Sequence, residues 1–114
     1  MTTSIKKSLF DIQTSINSIS IHLGEKRDFF VYRNNLTMKR AVERELEIIG
    51  EAVNRILKED PDFKIINSRK IVDLRNYIIH GYDAIDDETI WGIVMIHIPK
   101  LYAEITELIN QSGK

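Results

Sequence analysis

The chain has 114 residues, of which 43% are hydrophobic and 29% are charged, so its length and composition predict one globular domain with one apolar core. The net charge of -1 excludes a general electrostatic attraction to nucleic acid, and the absence of cysteine excludes disulfides and thiolate metal sites. No apolar run has the length of a membrane-spanning helix, and the first residues lack the pattern of a secretory signal, so we expect a cytoplasmic protein.

The first predicted helix carries a regular apolar stripe. Its branched aliphatic residues are spaced four and three apart, which places them on one side of an α-helix: Ile5, Leu9, Ile12, Ile16, Ile19 and Leu23. Thr3 or Ser4 is expected to cap the start of this helix, and Gly24 suits its end. A short helical segment is predicted to follow over residues 25–32.

The second long helix is predicted from about Thr37 to Lys58. Its inward positions are again apolar: Val42, Leu46, Ile49, Val53 and Ile56. Its other side mixes both signs of charge at helical spacing, which is typical of a solvated face: Arg40, Arg44, Glu47, Glu51 and Arg55. Pro61 is predicted to end the helix, because proline disfavours the α conformation in the residue before it and has no N–H to donate.

Two further helices complete the predicted fold. Asn67 or Ser68 is expected to cap a helix that ends near Gly81 and has a core stripe of Ile71, Leu74 and Ile78. The last helix is expected to be capped by Asp86 or Asp87 and to carry apolar residues three and four apart: Trp91, Val94, Ile98, Leu101, Ile105 and Leu108. Pro99 lies inside this helix and should bend it, because one backbone hydrogen bond is lost there. The sequence thus predicts an all-α, up-down bundle of four main helices plus a short one.

The third long helix ends in RNYIIHGY, residues 75–82, which brings a strong cation, an amide, an imidazole and a phenol into eight residues. Asn76 and His80 are four residues apart and point away from the core stripe, while Arg75 lies at the border of that stripe. Histidine exchanges protons near neutral pH and arginine binds phosphate through a rigid fork, so these residues suit phosphodiester chemistry. A polar helix end, in which His80 lies near the last carbonyls and Arg75 pairs with a surface acid, explains the same residues and is favoured by spacing alone.

Charge is unevenly distributed around this stretch. From residue 64 to residue 82 four bases accompany one acid, whereas the next six residues hold four acids and no base: Lys64, Arg69, Lys70, Arg75 and Asp73 in the first segment, and Asp83, Asp86, Asp87 and Glu88 in the second. The basic strip could hold a phosphate backbone, although two solvated helix ends would give the same pattern. The acids lack the glycine and the bidentate glutamate of an EF-hand, and His22 and His97 lack ligands at zinc spacing, so no metal site is predicted.

A family resemblance adds to these residues. Arg75, His80 and Tyr82 match the RX4HXY motif of the HepT-like toxins, which belong to the HEPN superfamily of small α-helical ribonucleases. Residues 41–56, AVERELEIIGEAVNRI, resemble the second helix of that family, and residues 74–94, LRNYIIHGYDAIDDETIWGIV, resemble its signature region. The resemblance covers most of the C-terminal two-thirds of the chain and implies one HepT-like domain over residues 1–114.

The resemblance implies a function. HepT-like proteins are toxins of two-gene toxin–antitoxin systems and act as metal-independent endoribonucleases, as homodimers whose motifs face each other across an RNA-cleaving cleft. On that basis Arg75, His80 and Asn76 are expected to be catalytic, without a cofactor. The expected partner is a minimal nucleotidyltransferase antitoxin (MntA-like), which would silence the toxin by AMPylation of Tyr82. Two alternatives remain: a non-catalytic nucleotide-binding or partner-binding module that docks such a nucleotidyltransferase, and a helical interaction protein whose polar helix end is only a cap.

Overall fold

The structure is a computed structural model that describes residues 1–81 and 84–112, and within these ranges the regular structure is entirely helical. The elements are α1 (Thr3–Leu23), α2 (Phe29–Arg33), α3 (Leu36–Glu59), α4 (Ser68–Gly81), α5 (Asp87–Gly92), a π-helical segment (Ile93–His97) and α6 (Ile98–Ser112). The long helices α1 and α3 pack against each other, α4 packs on α3, and α6 packs on α1. The predicted all-α bundle of four long helices with a short one is confirmed.

Helix α1 contributes one complete side of the core. All six residues of its predicted stripe are buried, from Ile5 to Leu23. The N-cap is Thr2, one residue before the predicted Thr3 or Ser4, because the Thr2 side chain accepts from the backbone N–H of Ile5. Gly24 ends the helix at φ 73°, a left-handed conformation that glycine adopts without steric cost.

The short helix α2 begins later than the sequence predicts. It starts at Phe29 rather than at residue 25, because the Asp28 carboxylate accepts from the N–H groups of Phe30 and Val31. Its one buried residue is Tyr32, whose ring lies 5.3 Å from that of Trp91. This contact between aromatic rings ties α2 to the start of the last helical region.

Helix α3 matches its predicted pattern on both faces. The five predicted inward residues are all buried, and the helix ends at Glu59, with Asp60 as its C-cap directly before Pro61. On the outer face Arg44 pairs with Glu47 at 3.0 Å and with Glu51 at 3.4 Å. The alternating charges predicted to be solvated therefore form ion pairs along the helix surface.

Helix α4 is rotated relative to the sequence prediction. Val72 and Ile78 are its buried residues, whereas Ile71 and Leu74 of the predicted stripe are only half-buried. The sequence pattern did not indicate this, because Val72 lies beside a charged residue and because the rotation of a helix depends on the element against which it packs. The rotation places Arg75 at the centre of the buried side, since Val72 and Ile78 lie about 60° to either side of it.

The last helical region changes from α-helix to a wider π-helical turn shortly before Pro99. The segment Ile93–His97 is π-helical, and the N–H of Ile98 donates to the carbonyl of Ile93, five residues back. A wider turn at this point removes the clash that a proline ring causes with the preceding turn of an α-helix. Ile90, which the predicted stripe omits, is fully buried, and Trp91 is half-buried. None of the helices in the described ranges is long and apolar enough to cross a membrane.

Candidate active site on the fourth helix

Arg75, the first residue of the predicted site, lies where α3 and α4 pack closely against each other. A Cβ built on Gly50 of α3 would clash with the Cβ of Arg75, and it would lie only 3.0 Å from the Arg75 Cγ and 3.1 Å from the carbonyl oxygen of Ile71. Any side chain at position 50 would therefore push α4 away at the position of Arg75. The sequence pattern gives Gly50 no functional role, and only the presence of a glycine inside an otherwise strong helical pattern could have indicated such a contact.

The Arg75 side chain runs from the buried side of α4 towards its exposed side. Its Nε atom is buried and finds no hydrogen-bond partner among residues 1–81 and 84–112. Its Nη1 atom donates to Asn76 Oδ1 at 3.0 Å. Arginine stays protonated in proteins, and among the described residues this cation is hydrogen-bonded to a neutral amide. The guanidinium keeps most of its capacity to donate to an anionic ligand.

Asn76 and His80 lie together on the exposed side of α4. Both residues are exposed, and their spacing of four places them about 40° apart around the helix. Arg69 and Asp73 are also exposed and continue the same stripe towards the start of α4. Because Asn76 holds the Arg75 guanidinium, the amide connects an arginine that starts in the core with the stripe that carries His80.

Tyr82, the fourth predicted site residue, and Asp83 lie outside the described residues. The chain on either side of them is described. The Tyr77 hydroxyl of α4 donates to the carbonyl oxygen of Ala84 at 3.1 Å and accepts from the backbone N–H of Asp86 at 2.9 Å. The segment that follows Tyr82 is therefore fastened to the same helix that carries Arg75 and His80.

The other histidines occupy different surroundings. His22 Nε2 lies 3.0 Å from Glu45 Oε2, a contact between α1 and α3 that residues 23 positions apart in sequence could not reveal. His97 is exposed and lies at the edge of an apolar groove of about 350 Å³ between α4 and α6. Within the described ranges no three histidine, aspartate or glutamate side chains are grouped as metal ligands.

Asp86 and Asp87, two of the acidic residues after Tyr82, make different contacts at the start of α5. Asp86 is the N-cap residue of α5 and accepts from the Thr89 hydroxyl at 2.6 Å, a bond that lowers the pKa of the Asp86 carboxyl. Asp87 pairs with Lys39 of α3 at 3.3 Å. Asp86 therefore occupies the predicted N-cap position of α5 without a capping hydrogen bond from its side chain, whereas Asp87 forms an ion pair with another helix.

A second polar group lies in the interior, away from the predicted site. Glu43 is buried on α3 and receives two hydrogen bonds from Arg40, at 3.0 and 3.2 Å. Burial raises the pKa of the Glu43 carboxyl, and the Arg40 guanidinium opposes that increase. Burial also raises the pKa of the nearby Tyr32 phenol. The sequence pattern placed Arg40 on the solvated face and assigned no role to Glu43, because Glu43 has the spacing of a core position but the chemistry of a surface one.

Fold and site together describe a small all-α protein that presents an arginine, an amide and an imidazole on one surface helix. Comparison with known proteins gives the family. The family model "Ribonuclease HepT-like" matches residues 12–108. The chain therefore belongs to the HepT-like ribonuclease family, and the resemblance inferred from its motif is confirmed.

Curated relatives agree with this assignment. The chain is 37% identical over 103 residues to "Putative RNase MJ1380" of Methanocaldococcus jannaschii, covering 89% of this chain and 93% of the relative. It is 33% identical to "Putative RNase MJ0125" of the same organism, over 93% of this chain and 91% of the relative. It is 36% identical to "Probable ribonuclease HepT" of Thermococcus cleftensis, over 60% of this chain and 63% of the relative. No solved structure gives a significant match.

Proposed function

We propose that this protein is an endoribonuclease toxin that cleaves RNA without a metal ion, with Arg75, His80 and Asn76 as its catalytic residues. The observation that carries the proposal is the 3.0 Å bond from Arg75 Nη1 to Asn76 Oδ1 in a chain of the HepT-like ribonuclease family. This bond draws a permanent cation to the exposed stripe that holds His80. A phosphate group and a proton-transfer group are thus supplied by neighbouring positions of one helix.

The proposed reaction is attack of an RNA 2′-hydroxyl on the adjacent phosphorus. One His80 imidazole accepts the proton of the 2′-hydroxyl while its oxygen forms the new bond to phosphorus. The bond from phosphorus to the 5′-oxygen breaks, and a protonated imidazole donates a proton to that leaving oxygen. Arg75 stabilises the negative charge on the equatorial oxygens of the transition state. The products are a 2′,3′-cyclic phosphate end and a 5′-hydroxyl end.

The two proton transfers support a site shared between two copies of the chain. Arg75 and His80 are five residues apart, which separates them by about 140° around α4 and about 7.5 Å along it. One chain supplies a single His80, whereas two chains related by a twofold axis would bring two imidazoles and two guanidinium groups to one cleft. The partner copy would then supply the second proton-transfer group.

Regulation is proposed to act through Tyr82. A minimal nucleotidyltransferase antitoxin would transfer AMP from ATP to the phenol oxygen, with release of pyrophosphate. The added phosphate would compete with RNA for Arg75, and the adenosine would obstruct the cleft. This step is supported by the match of residues 75–82 to the family motif.

The decisive experiment uses protein purified without the nucleotidyltransferase and shown by intact mass to be unmodified. Labelled RNA is incubated in EDTA, and both product ends are identified by mass. We expect His80→Ala to reduce the cleavage rate by about 100-fold or more, because general acid–base catalysis contributes at least that much. His97→Ala is the matched control, since it removes another exposed histidine from a different helical segment.

The outcomes separate the proposed function from its alternative. Equal cleavage by wild type and His80→Ala would contradict the assignment of His80, and absence of cleavage by the wild type would contradict the nuclease. A wild type that forms a stable complex with the nucleotidyltransferase but never cleaves RNA would support the non-catalytic partner-binding module instead. Sedimentation of the same samples determines whether the protein is a dimer in solution. Intact mass after incubation with the nucleotidyltransferase and ATP tests the modification. A mass increase equal to AMP in the wild type, and its absence in Tyr82→Phe, would identify Tyr82 as the modified residue.

A further inference from the structure

The groove between α4 and α6 takes no part in the proposed reaction. Helix α4 packs on α3 and α6 packs on α1, and the space between these two pairs is a groove of about 350 Å³. Its apolar floor is built by three helices and consists of Leu46, Ile49, Ile71, Leu74, Ile98 and Leu101. Ile93 of the π-helical segment also lines the groove, and wider turns of this kind are frequent at functional sites.

The rim of the groove carries positive charge on both sides. Lys70 of α4 and Lys100 of α6 line it and are exposed. Among the described residues, 1–81 and 84–112, neither lysine forms an ion pair. Glu104, the acid that lines the groove, already accepts from the backbone N–H of Ile66 at 2.8 Å. The groove therefore combines an apolar floor with two lysines that have no carboxylate partner in the described part of the chain.

The extent of the apolar surface favours a protein segment over a small molecule. Ile66 borders the groove and is 73% exposed. Small-molecule sites enclose most of the ligand in a concavity, so a small ligand in the groove would leave Ile66 in water. A helix that lies along the groove would instead fill the floor with residues at i, i+4 and i+7 and also cover the apolar surface beside it.

The charge of the rim distinguishes between two kinds of protein partner. A second copy of this chain, related by a twofold axis through this face, would present the same surface and would place lysines opposite lysines. Like charges across an interface are unfavourable and suppress such a pairing. A segment with acidic residues beside its apolar ones would place carboxylates near Lys70 and Lys100. Charge complementarity therefore favours an acidic helix of a different protein.

We propose that the groove between α4 and α6 is a docking site for an acidic amphipathic helix of another protein. The apolar residues of that helix enter the groove, and its acidic residues pair with Lys70 and Lys100. Arg75, Asn76 and His80 do not line the groove, so docking leaves the proposed catalytic residues uncovered by the groove itself. The inference does not depend on whether the protein cleaves RNA.

The test uses the full chain and two synthetic helical peptides of about 18 residues, a length at which a helix is stable enough to bind as one. Both peptides carry leucine at i, i+4, i+7 and i+11. One has glutamate beside these leucines, and the other has lysine at the same positions. Titration by NMR gives the Kd, and shifts of the Ile71, Leu74 and Leu101 amides locate the peptide. We expect the acidic peptide to shift these amides and to bind with a Kd at least about tenfold lower than that of the basic peptide.

A charge-reversal variant tests the rim. Lys70→Glu combined with Lys100→Glu should weaken binding of the acidic peptide by about tenfold or more and strengthen binding of the basic peptide, because both rim contacts change sign. Lys26→Glu combined with Lys58→Glu is the matched control. It changes the net charge equally at two exposed lysines that do not line the groove, so the Kd of either peptide should stay within about twofold of the wild-type value.

A variant of Ile66 tests the apolar contact. Ile66→Ser should weaken binding of both peptides by about tenfold, because burial of the isoleucine side chain is lost. Its melting temperature should match that of the wild type, because this side chain is exposed in the free protein. Ile21→Ser is the matched control, since Ile21 is 78% exposed on α1 and does not line the groove.

Each contrary outcome overturns the docking site for a different reason. Absence of amide shifts with the acidic peptide, or equal binding of both peptides, would contradict the proposed partner chemistry. Weaker binding in the lysine variant with an unchanged Kd in Ile66→Ser would show a site for anions such as RNA, without an apolar contact. Sedimentation of the variants without peptide tests the second copy, and loss of self-association in Ile66→Ser would assign the groove to contacts between copies of this chain.

Discussion

The outer faces of α3 and α4 both carry basic residues, but the surroundings of these residues differ. On α3 the cations alternate with acids and form ion pairs: Lys39 with Asp87, Arg40 with Glu43, Arg44 with Glu47 and Glu51, and Arg55 with Asp11 of α1. On α4 no ion pair within residues 1–81 and 84–112 involves Arg69, Lys70 or Arg75, and Arg75 donates to a neutral amide. The two helices differ in how their basic residues are arranged relative to acidic ones. The net charge of the whole chain, -1, does not reveal this difference.

The presence or absence of a carboxylate partner affects how readily a basic residue can bind a polyanion, even in a nearly neutral protein. A cation that already has a carboxylate partner must give it up before it binds phosphate, whereas a cation without such a partner does not. Exposed ion pairs also contribute little to stability, typically about 0.2–1 kcal/mol each. Arg44 and Arg55, the α3 cations whose ion pairs are exposed, are therefore expected to be replaceable, and the cations of α4 are expected to affect RNA binding or cleavage when they are changed.

The largest expected effect comes from replacing one arginine on each face. Arg75→Ala should reduce RNA cleavage by about 100-fold or more, because it removes the charge that stabilises the transition state. Arg44→Ala on α3 should leave cleavage within about twofold and lower the free energy of unfolding by less than about 1 kcal/mol. Initial cleavage rates and urea denaturation of both variants check the pair. Equal losses of activity in both would show that the two faces do not differ in function.

The next effect tests the close approach of the two helices. Gly50→Ala should lower the free energy of unfolding by about 1–3 kcal/mol, because the new methyl group meets the Arg75 Cβ at a packed helix contact. It should also lower cleavage, since α4 must shift at Arg75 to make room. Gly92→Ala is the control: a Cβ there would meet no atom within 4 Å, and alanine is the better helix former by up to about 1 kcal/mol. Urea denaturation of the two variants measures their free energies of unfolding relative to wild type. An unchanged free energy of unfolding in Gly50→Ala would contradict the close contact between α3 and α4.

Much of this fold follows from local patterns, whereas the details of the site do not. The stripes of α1 and α3, the glycine that ends α1 and the proline that ends α3 are properties of neighbouring residues, so the sequence predicts them correctly. The rotation of α4 could not be predicted, because it depends on how α4 packs on α3, where the Arg75 Cβ lies against Gly50. The bonds of Tyr77 and the contact of His22 with Glu45 likewise depend on the folded arrangement. Arg75, Asn76 and His80 were selected by their chemistry and motif, and their catalytic role stays a prediction.

A smaller effect is expected from the amide that holds the arginine. Asn76→Ala removes the acceptor 3.0 Å from Arg75 Nη1, so the guanidinium is no longer held on the side of His80. A hydrogen bond to a charged group contributes about 1.5–3 kcal/mol, which corresponds to at least a tenfold loss in cleavage if the whole bond serves catalysis. Asn17→Ala, an exposed asparagine of α1, should leave cleavage unchanged. Single-turnover cleavage measures the effect, and full activity of Asn76→Ala would show that the amide does not position Arg75.

A still smaller effect concerns the basic residue at the far end of the α4 stripe. Arg69→Ala should weaken RNA binding several-fold with little change in the maximal cleavage rate, because Arg69 is exposed and lies about 16 Å along the helix from His80. If Arg69 contacts a phosphate, the slope of log K against log salt concentration should fall in magnitude by about one. Binding of a labelled RNA to His80→Ala protein, with and without Arg69→Ala, checks this without cleavage. An unchanged slope would remove Arg69 from the RNA-binding surface.

The smallest expected effect concerns Glu43, the buried acidic residue of α3. Burial raises the pKa of Glu43 above its ordinary value of 4.5, so the folded state binds this proton more tightly than the unfolded state does. Its contribution to stability is therefore fully present below the unfolded pKa and is lost as pH rises through the folded pKa. The free energy of unfolding of Glu43→Gln relative to wild type should accordingly increase between about pH 4 and pH 7.

Arg40→Ala removes the cation that opposes the shift and should enlarge the same pH dependence when Glu43 is present. Urea denaturation at several pH values measures both differences, and a difference between Glu43→Gln and wild type that falls over this range would mean that Arg40, not burial, dominates the titration of Glu43.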